Sequence, residues 1–250
     1  MFGRVVVGRQ LIFKKGSASS AKARQVLTAS RCCNLHGNLP AGTIRSMSLL
    51  RKNLGPLVIL FCLLLALFVA IVLLAPPEKS LGNTIRLVYA HVAFTRAGIL
   101  GFYAVGILGI LILISGNRLL EAWTRVTTWV ALGSFIVGGI ISIFAQRASW
   151  GGISLAEPSN RTSLSIVAVA AIALVAGSWA AHERLSGLLY ALLAGYVAWI
   201  LPRTPLILHP QNAGGSSPSV WIRYTFPVLT VIALFMGICC VIYLGRKQGL

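Results

Sequence analysis

The chain has 250 residues, 57% of them hydrophobic and only 10% charged, with a mean hydropathy of +0.84. Those values exclude a soluble globular domain and point to a protein with several membrane spans. The net charge of +18 invites a nucleic-acid reading, but ten of the 22 Lys and Arg fall in residues 1–54 and the rest are scattered. Nucleic-acid binding needs a basic stripe with interleaved aromatics, so no nucleic-acid partner is expected.

Residues 1–46 are basic, free of acids, and rich in Ser, Ala and Arg. That composition suits an organelle transit peptide. It also suits an extension ahead of a true start at Met47, with Met47-Ser48-Leu49-Leu50-Arg51-Lys52 as an ordinary cytoplasmic lead-in. The second reading is preferred because basic, acid-free stretches are unspecific, and either way the segment is expected to be poorly ordered. Residues 47–250 then form the membrane domain.

Six apolar runs follow, at about 55–75, 92–115, 126–146, 163–181, 185–202 and 225–244. Each is close to the roughly 20 residues that cross a bilayer as a helix. Backbone groups in hydrocarbon must be satisfied within the segment, and the alternation of a barrel strand is missing. The predicted fold is therefore all-α and polytopic, with six spans.

An even number of spans puts both termini on one side. Loops 76–91, 147–162 and 203–224 share one face; turns 116–125 and 182–184 share the other. From Met47 onward the terminal side carries Arg51, Lys52, Arg118, Arg125, Arg184, Arg246 and Lys247, against Lys79, Arg86, Arg147, Arg161, Arg203 and Arg223 opposite. The balance rests on Arg51 and Lys52 and predicts cytoplasmic termini in a cell inner membrane, or the mitochondrial inner membrane if residues 1–46 are a transit peptide. The outward arginines would either meet lipid headgroups or hold an anionic ligand with carboxylate arms.

Cys32-Cys33, Cys62 and Cys239-Cys240 make no CxxC pair, and the last three read as small buried hydrophobes. The chemistry-bearing candidates are His91 and His209, each beside an apolar run on the predicted outer face. Two histidines on one side of a membrane can clamp one metal from opposite faces. The plainer alternative is a polar residue at a span end, bonding water or headgroups. His209 is flanked by Pro205 and Pro210, which stiffen its loop. His182 reads as a solvated turn residue.

Trp150 reads either as an aromatic-belt residue, like Trp123, Trp129, Trp179, Trp199 and Trp221, or as a contact for a flat ligand. Gly151 and Gly152 after it permit close approach to the backbone. Arg161 would either pair with Glu157 or grip a carboxylate. The glycine runs 101–109 and 133–139 are expected to mark helix–helix packing.

Three segments carry a resemblance. Ile85-Arg86-Leu87-Val88-Tyr89-Ala90-His91-Val92 resembles the opening of the second span in the heme-handling cytochrome c assembly family (the CcmC/CcsA type). Trp150-Gly151-Gly152, with Glu157, Arg161, Thr162 and Ser163, resembles that family's tryptophan-rich loop. Pro205-Leu206-Ile207-Leu208-His209 resembles the segment carrying its second external histidine. The likeness runs from about residue 50 to the end.

The resemblance implies a transient b-type heme at the outer face, with His91 and His209 as axial ligands and Trp150 and Gly151 in a platform. It also implies heme transfer during cytochrome c maturation, to a heme chaperone beside ABC-type transporter subunits, without bond chemistry. The chain departs from the pattern at Ile153, Ser154, Leu155 and Ala156, where tryptophans are usual. It departs again at Ala93-Phe94-Thr95-Arg96 and at Pro210-Gln211-Asn212-Ala213. A heme-free relative serving as a structural subunit is the alternative. A solute transporter is disfavoured because no span is expected to carry an acid or histidine at mid-depth.

Overall fold

The computed structural model describes residues 54–79, 81–154, 156–205, 207 and 217–250. The expectations for residues 1–46 and for His209 lie outside the described residues. Among the described residues there are six α-helices: α1 Gly55–Leu74, α2 Ile85–Ser115, α3 Arg118–Trp150, α4 Pro158–Trp179, α5 Glu183–Ile200 and α6 Val220–Gln248. Each is long and apolar enough to cross a membrane, and no strand occurs among the described residues. A 3-10 turn, Leu201–Arg203, extends α5.

The helices outrun the apolar runs because their ends carry their own signals. The α2–α3 turn shrinks to Gly116-Asn117. Gly116 stops α2 in the left-handed region (φ 61°), and Asn117 Oδ1 accepts from the N–H groups of Leu119 and Leu120. Those are an αL stop and an N-cap, so α3 starts at once. Glu121 and Arg125, which interrupt the hydropathy, become an i,i+4 pair at 3.2 Å inside α3. The loop read as 76–91 likewise ends at Thr84, which places His91 in the second turn of α2.

α2 is the central helix, packed on α3, α5 and α6. Small residues set its approach. A Cβ on Gly109 would lie 2.7 Å from the Gly187 carbonyl on α5, and one on Gly101 would lie 2.7 Å from Ala131 Cβ on α3. Close helix contacts through small residues are the usual membrane solution, because lipid offers no hydrophobic drive between helices. Of the second glycine run only Gly138 packs tightly; Gly133 and Gly139 face open space.

Among the described residues three apolar clusters result, the smallest being Val105, Ile112 and Tyr190 between α2 and α5. Phe68, Tyr89, Phe226, Leu229 and Met236 join α1, α2 and α6, while Phe102, Phe135, Ile166, Leu193 and Val197 join α2 to α5. Phe68 is the one buried residue within α1, so the most apolar span is also the most peripheral. Cys239 is buried as expected, whereas Cys62 on that peripheral helix is exposed. Trp129, Trp179, Trp199 and Trp221 are exposed, as belt residues are. Trp123 differs: its ring seats against Gly245 of α6.

The C-terminal ends of α1, α3 and α5 and the N-terminal ends of α2, α4 and α6 lie together at one end, called here the loop end. At the opposite end the two tight turns are tied by the Arg118–Glu183 ion pair.

Candidate functional site

On α3, Gly138, Ser142 and Gln146 occupy successive turns of one face, four residues apart. A Cβ at Gly138 would overlap the Thr95 side chain and stand 2.8 Å from its backbone nitrogen, so glycine lets α2 close onto α3 there. That closeness brings His91 Nδ1 to 2.9 Å from the Gly138 carbonyl oxygen, with Thr95 Oγ1 at 3.3 Å. A carbonyl only accepts, so Nδ1 must carry the proton. In the neutral ring the lone pair then sits on Nε2. Metal-binding histidines are fixed in the same way, by donating the other ring N–H to a carbonyl or carboxylate.

The same face of α3 continues outward as hydrogen-bonded polar groups. Gln146 Nε2 donates to Ser142 Oγ at 3.0 Å and to Asn160 Oδ1 at 3.0 Å. Asn160 Nδ2 donates back to Gln146 Oε1 at 2.9 Å and to the Ser154 carbonyl at 2.7 Å. Gln146 is only 4% exposed, so these bonds meet a requirement that any buried amide has. The file spans eight residues of α3, about 12 Å of rise, between the level of His91 and the loop end.

Beside it, Glu157 is 1% exposed at the N-cap of α4. Its Oε1 accepts from Ser159 Oγ at 3.3 Å and from the backbone N–H of Ile207 at 3.2 Å. A carboxylate there is favoured by the helix dipole. A Thr162–Thr204 hydroxyl pair at 2.8 Å adds a second tie between α4 and the segment after α5. Ile207 is therefore fixed to the start of α4, two positions before His209 in sequence.

The other candidates stand further out. Trp150 is the last residue of α3, 37% exposed, and Gly151 is its left-handed C-cap (φ 76°), donating to the Arg147 carbonyl at 3.1 Å. Helix termination by itself accounts for glycine at 151. Gly152 and Arg161 are exposed, Arg161 in the first turn of α4. Trp150 follows Gly138 by twelve residues, about 18 Å along α3, so the structure holds Trp150 and the His91 ring at different levels. Among the described residues no group of three or more His, Cys, Asp or Glu gathers as a metal cluster.

Ser142, Gln146 and Asn160 are not among the residues the sequence singles out, and Thr95 enters there only as a departure from the family pattern. The four-residue spacing of Gly138, Ser142 and Gln146 was available as a signal of one polar helical face. No protein-family model matches the chain, and no curated protein matches its sequence. By its fold the chain is a polytopic membrane protein with six spans among the described residues, and the resemblance rests on the residues quoted above.

Proposed function

We propose that this protein binds heme at the loop end of its helix bundle and hands it on during cytochrome c maturation. His91 would serve as one axial ligand and His209 as the other. The observation that supports this reading best is the bond from His91 Nδ1 to the Gly138 carbonyl. It fixes the imidazole in the tautomer that offers Nε2 to a metal. Heme would supply an iron that accepts nitrogen at its two axial positions. In this reading Arg161, exposed at the start of α4, meets a propionate, and Glu157 holds the chain before His209 against α4. The membrane would be a cell inner membrane with cytoplasmic termini, and the partners a heme chaperone and ABC-type transporter subunits.

The alternative, a heme-free structural subunit, draws support from the roughly 18 Å of helix rise between Trp150 and the His91 level. The two readings separate in one experiment. The protein is expressed with ample heme, purified in detergent and examined for a Soret band. Heme handling expects a low-spin bis-histidine spectrum that becomes high-spin or vanishes in His91→Ala and in His209→Ala, while His182→Ala keeps it. Wild-type protein that copurifies without heme, or single variants that keep the parental spectrum, would sink the proposal and leave the structural reading.

A further inference from the structure

Away from that site, α1 packs chiefly on α6. Toward the loop end the two helices share the core that holds Phe68, whose ring stands 5.1 Å from Phe94 of α2. At the other end they leave a groove of about 240 Å³ between Leu57, Val58 and Phe61 of α1 and Cys240, Tyr243 and Leu244 of α6. Every one of those residues lines it with apolar or weakly polar surface. A void of this kind inside a bilayer forfeits dispersion contacts along both walls unless something apolar fills it. Its size falls below the roughly 300–1,000 Å³ of pockets that enclose whole compact ligands. As an open groove it seats a segment of one acyl chain.

The rim decides which lipid. Lys247 follows Tyr243 by four residues and Cys240 by seven, so it stands on the groove face of α6, one turn beyond the lining, and is exposed. Arg246 is beside it, and neither α1 nor α6 contains an acidic residue. A positive mouth over an apolar slot is complementary to a negatively charged headgroup on a fatty chain. We propose that the α1–α6 groove is a binding site for one anionic phospholipid, its acyl chain between the two helices and its phosphate at Lys247. This inference is independent of the heme reading.

The test uses the full chain in nanodiscs made from equal amounts of phosphatidylcholine and phosphatidylglycerol, followed by native mass spectrometry of the released protein. The expected result is retained phosphatidylglycerol in preference to phosphatidylcholine. Lys247→Gln should lower that preference roughly fivefold, the worth of one basic residue at an anionic surface. Val58→Trp, which fills the groove, should abolish retention. A measurement on unaltered protein guards against a variant that fails to fold. Cys240 should react with a hydrophobic maleimide more slowly in phosphatidylglycerol discs than in phosphatidylcholine discs, with exposed Cys62 as the internal control. Equal retention of the two lipids, equal Cys240 rates in the two discs, or a dimer whose formation excludes lipid would each overturn the proposal.

Discussion

Glycine 138 does two things that no other residue could do at its position. It admits the Thr95 side chain of α2, and it thereby brings its own carbonyl to the His91 ring. Gly138→Ala should force α2 outward at the cost typical of overpacking, about 1–3 kcal/mol, seen as a lower melting temperature in detergent. Gly133→Ala and Gly139→Ala, whose added methyl groups meet nothing within 4 Å, should be neutral or slightly stabilising. Equal losses in all three would show that the α2–α3 contact is not set at 138. The sequence marks this glycine run as a packing stripe but cannot say which member faces inward. That depends on the rotation of α3, which is settled by its neighbours.

Across helices, the Gln146–Asn160 pair joins α3 to α4 by reciprocal bonds. Side-chain bonds of this kind in membranes average about 0.6 kcal/mol and reach about 1.7. A double-mutant cycle with Gln146→Leu and Asn160→Leu should give a coupling inside that range by thermal unfolding. Additive losses would mean that the two amides act separately. Element ends show where sequence reading stops. Hydropathy located the core of every span, yet α2 begins seven residues before the apolar run at 92, and α3 begins eight before the run at 126. Polar residues such as His91 and Glu121 end an apolar run without ending a helix, because the backbone bonds continue through them. The caps that bound helices, Gly116 and Gly151 at C-terminal ends and Asn117 at an N-terminal one, are legible as residue types, and their meaning comes from position.

At the scale of the molecule, span number and alternation follow directly from the sequence, whereas the order of packing does not. α1 has the highest hydropathy of the six spans and the smallest interior face, while α2, with His91, Thr95 and Arg96, is central. Lipid solvates an apolar surface as well as protein does, so hydropathy reports passage through the bilayer and not depth within the protein. The candidate site was legible in part. His91 stood out by type, but its link to Gly138 required two helices to be placed side by side. The topology is testable with native cysteines replaced by alanine. Cysteine at position 150 should react with an impermeant thiol reagent in intact cells, and cysteine at position 182 should not. The opposite pattern would invert the orientation.

The peripheral seat of α1 bears on how the chain is made. A span composed almost wholly of Leu, Val, Ile and Phe partitions into hydrocarbon without help from the other five. Having one buried side chain, it needs no partner to complete it. α2 and α3 differ, since the two-residue turn between them commits them to cross together as a hairpin. Synthesis would therefore leave α1 waiting in the bilayer while the later helices close around α2, and its attachment, completed only when α6 emerges, becomes the final step of assembly.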